Sequence, residues 1–298
     1  MFRSPLGRTI SALSLVASLA ACAQSPAPAA DPASLDSPQI AAALKGVRAD
    51  EIKRHMSVLA DDKLEGRGLG TEGYDGALRH VEQALTAAKL APAGEGGGFR
   101  QRVPLRNSAV VKDQSAMTVQ AGSKKTALVY NTDYMLGADP LREDVSLDNA
   151  PIAFVGYGVS APGLGYDDYD SGIDVKGKVV AYLSGAPAKL PSNERAYYSS
   201  GAAKEAEAIK RGAIGTISFT SPDDPRFRWD VSVATGSQGS YAWVDAQGKP
   251  NRGDAQMLGS ASLNHSGVQA IFAGASKKPA DVFAAAAQST PQAFDLAT

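Results

Sequence analysis

Histidine occurs three times and cysteine once in this chain of 298 residues. Zinc centres and many hydrolases draw ligands and bases from these two residue types, so their scarcity lets each of the four be weighed singly. One cysteine cannot build a disulfide framework within the chain. Neither sign of charge is in excess: 30 Lys plus Arg stand against 31 Asp plus Glu, a formal net charge of −1. With no long basic run either, the counterion release that drives nucleic-acid binding has no source, and no nucleic acid is expected as a partner. The apolar run Ile10 to Leu19 falls short of the roughly 20 residues a membrane-spanning helix needs. What is present, 44% hydrophobic and 20% charged residues, is the balance of a globular protein with length for two domains.

The lone cysteine has a telling address. Arg3 and Arg8 form a positive start, Ile10 to Leu19 an apolar centre, and Ala20 and Ala21 the small residues that signal processing prefers. Leu19-Ala20-Ala21-Cys22 resembles the bacterial lipobox, in which the thiol is acylated and the chain is cut before the cysteine. Residues 1–21 then read as a signal peptide and 22–39, rich in Ala, Pro and Ser, as a lipidated tether. The expectation is an exported cell-envelope lipoprotein held to the membrane through Cys22, and Ala23 after the cysteine favours the outer membrane. An ordinary cleaved signal with an incidental cysteine is the alternative.

Folded character begins near Pro38. A helix is expected from about Asp50 to Leu59, with Ile52, Met56 and Leu59 on one face. A clearer one carries Tyr74, Leu78, Val81, Leu85 and Ala88, with Thr71 as N-cap and Gly94 to Gly98 as its stop. Between them lies a glycine-dense loop, but Gly66-x-Gly68-x-Gly70 lacks the spacing and the preceding strand of a dinucleotide site. From Phe99 to Leu105 the period changes to two, and 116–121 and 125–130 flank Gly122-Ser123 as a hairpin. Ile152 to Val159 and Lys178 to Leu183 read as strands, the second apolar enough to be buried on both faces. A helix from Ser200 to Arg211 ends at Gly212 and feeds the strand Ala213 to Phe219. Phe227, Trp229, Tyr241 and Trp243 alternate as packing residues of strands. Helices are expected over 265–274 and 279–288, the second opened by Pro279, before a strand carrying Phe294, Leu296 and Thr298.

Two of these segments carry a resemblance. Val58 to Tyr74, including Leu64-Glu65-Gly66-Arg67-Gly68, with Phe99 to Leu105, looks like the amino-terminal segment of family-28 metallopeptidases, the bacterial zinc aminopeptidases and their relatives. Residues 151 to 221, with Tyr166-Asp167-Asp168-Tyr169, Asp174 to Val180 and Arg211-Gly212-Ala213, are similar to the protease-associated (PA) domain that such peptidases carry as an insertion. The resemblance implies a mixed α/β fold: a helical amino-terminal segment over 40–110, a PA-type β-rich domain with flanking helices over 111–260, and a return segment over 261–298 that leads toward an absent catalytic α/β zinc-peptidase domain. It also implies two zinc ions in the full-length enzyme, a peptide substrate, and a PA domain that gates or positions that peptide.

The chemistry the resemblance implies has no residues here. His55 and His265 do not begin a His-x-Asp pair, His80-Val81-Glu82 puts its two ligands on different sides of a helix, and no Glu-Glu pair occurs. No catalytic, cofactor-binding or metal-ligating residue is therefore assigned, Cys22 is the single modified site, and the chain as it stands is expected to hold no zinc and to be inactive. Asp167, Asp168, Asp170 and Asp174 could ligate calcium, though without the spacing or closing Glu of an EF-hand. A loop of packed tyrosines and turn-capping aspartates is the competing reading. Lys189, Arg195, Tyr197 and Tyr198 read as a solvated loop. Two further functions stay open: a non-catalytic PA-domain lipoprotein that binds peptides or a protein partner, and a PA-like module of another secreted hydrolase class such as the subtilisin-like proteases.

Overall fold

The computed structural model describes residues 37–236 and 238–298. They fall into two units, divided after Arg100.

The first unit is helical. Pro38–Lys45 forms α1, Ala49–Leu59 α2 and Glu72–Ala87 α3. Ser37 caps α1 by accepting from the Ile40 amide, and Thr71 caps α3 by accepting from the Tyr74 amide at 3.2 Å. The expected stop at Gly94 is not the one used. Helix α3 closes at Ala88, and Lys89 takes a left-handed conformation that turns the Leu90 amide back onto the Leu85 carbonyl. Between α2 and α3 the chain makes a kinked turn in which Glu65, Gly66 and Arg67 all have positive φ. Gly73 explains how closely that turn packs: a Cβ there would lie 1.9 Å from the Leu64 carbonyl oxygen.

The second unit is a mixed α/β module, as the sequence predicts. Its elements begin with β1 (Leu105–Ser108), the hairpin β2 (Met117–Ala121) and β3 (Lys124–Leu128), β4 (Tyr134–Leu136) and β5 (Ile152–Phe154). The short strands β6 (Ser160–Ala161) and β7 (Tyr166–Asp167) precede β8 (Val179–Leu183), α4 (Ser192–Tyr198), α5 (Gly201–Lys210) and β9 (Gly215–Phe219). Then come α6 (Trp229–Gly236), β10 (Ser240–Trp243), β11 (Ser260–Leu263), α7 (His265–Ile271), α8 (Pro279–Ala287) and β12 (Phe294–Leu296).

Six strands form one sheet in the order β12-β5-β8-β9-β11-β4. The inner four are parallel, and β12 and β4 close the two edges antiparallel. Alternation along the strands gives each face its own layer. Phe154, Ala181, Leu183, Ile217, Phe219 and Leu263 point to one side, where they cluster with Val268 and Ile271 of α7, Val282 of α8 and Val119 of the hairpin. Ala153, Val155, Val180 and Tyr182 point to the other and meet Ala208 of α5. Every residue of β8 is buried, as its unbroken apolar run requires. Gly212, at φ 86°, ends α5 and turns the chain into β9.

Several expectations shift. The period-two stretch from Phe99 joins no ladder until Leu105, which pairs with Trp243 of β10. Strand β5 stops at Phe154 instead of Val159, because Gly156 and Gly158 both turn to positive φ. Trp229 opens a helix and gives its indole N–H to the Asn131 carbonyl at 2.8 Å. Tyr241 and Trp243 do lie on a strand, yet the β1–β10 ribbon leaves both side chains exposed instead of packed. Arg195, Tyr197 and Tyr198 belong to helix α4 and not to a solvated loop. Thr298 lies past the end of β12.

The ring of Phe154 is fully buried and meets Phe219, Phe272 and Phe294 at centroid distances of 5.9, 5.7 and 5.4 Å. Phe154→Ala is expected to cost about 3–5 kcal/mol in urea unfolding; a loss under about 1 kcal/mol would place the core elsewhere.

Candidate functional site

The acidic loop singled out in the sequence is built around one residue. Asp168 is 1% exposed. Its Oδ2 accepts the amides of Tyr157 at 2.9 Å and Val159 at 3.1 Å, and its Oδ1 accepts the Tyr166 hydroxyl at 2.7 Å. The Asp168 amide returns a bond to the Val159 carbonyl. This geometry needs glycine at 156, where a Cβ would stand 2.1 Å from Asp168 Oδ1. Burial pushes the Asp168 carboxyl up to about 6 against the pull of its hydrogen-bond donors. Burial also raises the Tyr166 hydroxyl, which stays a donor.

Lys204 of α5 sits beside this loop. It is 2% exposed, and its Nζ donates to the carbonyls of Leu183 and Gly185. The ammonium also lies 5.1 Å from the Tyr182 ring centroid and 5.6 Å from that of Tyr157. Burial lowers its pKa to about 7, and the Asp168 charge opposes that shift. The cluster lies at the carboxyl ends of the parallel strands, the edge where α/β sheets often bind ligands. Its charged atoms are already taken by backbone and rings, so the arrangement holds the β8 exit loop to the β5 turn.

The other aspartates of the loop do not converge. Asp167 accepts the Ser160 hydroxyl and the Tyr169 amide, each at 2.8 Å, and Asp174 caps a turn by accepting the Lys176 amide at 2.9 Å. Asp170 is exposed. Lys189 rests over the Tyr166 ring at 4.9 Å, and Arg211 over Tyr169 at 4.1 Å. These contacts match a loop of packed tyrosines and turn-capping carboxylates.

Two histidines distant in sequence are brought together. His55 Nδ1 lies 2.8 Å from His80 Nε2, linking α2 to α3 with the rings edge to face, while Arg54 approaches His55 Nε2 at 3.1 Å. The third, His265, stacks on Phe227 at 4.6 Å, and its Nε2 is buried without a hydrogen-bond partner. Among the described residues no three His, Cys, Asp or Glu side chains gather as a metal site. With two histidines turned on each other and the third against a phenyl ring, these donors do not fit a two-zinc centre. Cys22 lies outside the described residues.

Sequence reasoning passed over Lys204 and the His55–His80 contact. Lys204 had a readable signal: it lies four residues before Ala208, on the helix face that packs against the sheet. The histidine pair, 25 residues apart, depends on how two helices pack and had none.

No profile of a known protein family matches the chain, and no curated protein matches it by sequence. Among solved structures it is similar to the aminopeptidase from Aneurinibacillus sp. strain AM-1, with 15% sequence identity and a TM-score of 0.33. That similarity covers 71% of this chain and spans 40% of the length of the aminopeptidase.

Lys204 carries a pH signature. Its pKa is lower in the folded chain than the unfolded 10.5, so the unfolded state binds more protons between about 7 and 10.5 and stability rises with pH across that window. Relative to Lys204→Met, the wild-type chain is expected to gain roughly 3 kcal/mol between pH 7 and pH 9.5, read from urea midpoints of both proteins. A difference that does not change with pH would refute the buried, shifted amine.

Proposed function

We propose that this chain is the amino-terminal part of an exported zinc-dependent aminopeptidase, held at the cell envelope, at the outer membrane, by a lipid on Cys22. In this reading the module over 111–260 gates the approach of peptide substrate or positions it, and the two zinc ions and the general base belong to sequence beyond residue 298. The segments Val58 to Tyr74 and Pro151 to Ser221 support it through their likeness to that peptidase family and its PA insertion.

One structural observation carries the proposal. Between residues 37 and 100 the only buried residue is Gly73. Leu44, Val47, Ile52, Met56, Leu69, Val81 and Leu90 are all exposed, from 44% to 64%. Helices of 8 to 16 residues are marginal in water on propensity alone and take their stability from burying an apolar face. Amphipathic helices that bury almost nothing among themselves are suited to lie against another body, and in the proposed enzyme that role falls to the catalytic domain.

The protein detected in native envelopes by an antibody to residues 101–298 is therefore expected to be far longer than 298 residues. The isolated chain is expected to release no product from aminoacyl chromogenic substrates, with or without zinc. A native product of this length, or zinc-dependent turnover by the chain alone, would refute the reading.

The lipid anchor has its own test. Cys22→Ser is expected to move the protein from the detergent phase to the aqueous phase in Triton X-114 partitioning; unchanged partitioning would remove Cys22 as the anchor.

A further inference from the structure

The α5 side of the sheet has two chemistries. Over β5 and β8 it is apolar and covered by the helix. Over β9, β11 and β4 the same face carries Thr216, Ser218, Ser260, Ser262 and Met135, and above them lies a cavity of about 400 Å³. That volume lies within the range of small-molecule sites. Ser218 and Ser262 share a hydrogen bond at 3.0 Å across the floor. Hydroxyls donate and accept, so this floor suits a polar ligand without fixing the sign of its charge.

The sign comes from the wall. Glu205 of α5 lines the cavity, half-buried, and among the described residues it has no hydrogen-bond or ion-pair partner. Burial first, and the nearby Asp254 carboxylate second, hold its carboxyl above the ordinary range. A carboxylate that is partly desolvated, unpaired and beside a second negative charge is relieved by a cation with several N–H donors. Tyr130 and Tyr182 add aromatic surface to the same lining, and Lys112 adds one positive group that suits the anionic end of a zwitterion.

We propose that this cavity binds a ligand bearing a protonated primary amine, a free amino acid or the amino terminus of a short peptide, with the ammonium on Glu205 and the hydroxyl floor accepting its remaining N–H groups. The proposal rests on the cavity and stands whether or not the chain belongs to a peptidase.

The test is titration of the purified chain, by calorimetry and by amide chemical shifts, with L-alanine, L-alanyl-L-alanine and N-acetyl-L-alanyl-L-alanine. Saturable binding is expected for a probe with a free amine, at about millimolar affinity or tighter, with shifts at the amides of Glu205, Ser218 and Ser262. Acetylation is expected to remove it, and Glu205→Gln to weaken it by roughly tenfold or more while the thermal midpoint stays near that of the wild type. Ser262→Ala is a milder second variant, expected to weaken binding less than Glu205→Gln. The tighter of the two free amines identifies the source, amino acid or peptide. Equal binding of the acetylated dipeptide, full affinity in Glu205→Gln, or no saturable binding of either free amine would overturn the proposal.

Discussion

Asp168 has almost no water around it, and a carboxyl group in that position must be satisfied by the protein or lose its charge. Two backbone amides and a tyrosine hydroxyl meet it, and they come from three points of the chain that would otherwise be free to separate. Holding the amides of Tyr157 and Val159 on one oxygen forces the strand that precedes them to end at Phe154 and wind through two left-handed glycines. The chain then leaves the sheet toward the small β6–β7 pair, and the buried ammonium of Lys204 ties the neighbouring strand exit to the same region. Each charge would be costly alone; together with their carbonyl, amide and ring partners they set one path for the backbone.

The sheet is asymmetric in a way that matters for function. One face is sealed by two helices and a hairpin over a nearly continuous apolar cluster with four phenylalanines in contact. The opposite face is sealed only where α5 crosses it, and beyond that helix the strand residues become serines and threonine. Serine on a fully covered strand would leave hydroxyls to be paired one by one. Placing them where the covering layer ends makes a polar floor compatible with a well-packed sheet.

What the sequence disclosed tracks how local each cause is. The apolar run of β8, the glycine that ends α5, the two-residue turn at Gly122-Ser123 and the proline that opens α8 act within a few residues, and each is where the pattern places it. The partnership of β1 with β10 and the open face of Tyr241 and Trp243 depend on chain that is remote in sequence, and the early end of β5 on a carboxylate nine to eleven residues further along. The same holds for the site. The motif Tyr166-Asp167-Asp168-Tyr169 marked the loop, but that Asp168 is buried while Asp167 turns elsewhere follows from amides eleven and nine residues upstream of Asp168. Lys204 reads as a surface residue by composition, and only its spacing to Ala208 hints otherwise. Glu205, one position along, reads no differently, yet it faces the cavity.

The outer strand β12 pairs with β5, whose residues come much earlier in the chain, while β11 and β4 close the far edge with a similar long span. A chain synthesised from its amino terminus therefore makes β5, β8 and β9 before the strands that flank them can close. The β9 edge stays open until β11 arrives and joins it to the waiting β4, and the β5 edge stays open longer, until β12 arrives. Such edges pair readily with other chains, and contacts of high sequence separation form slowly. The sheet order thus sets a period during synthesis when the module is most open to aggregation or proteolysis, and it places the end of that period at the arrival of Phe294 to Leu296.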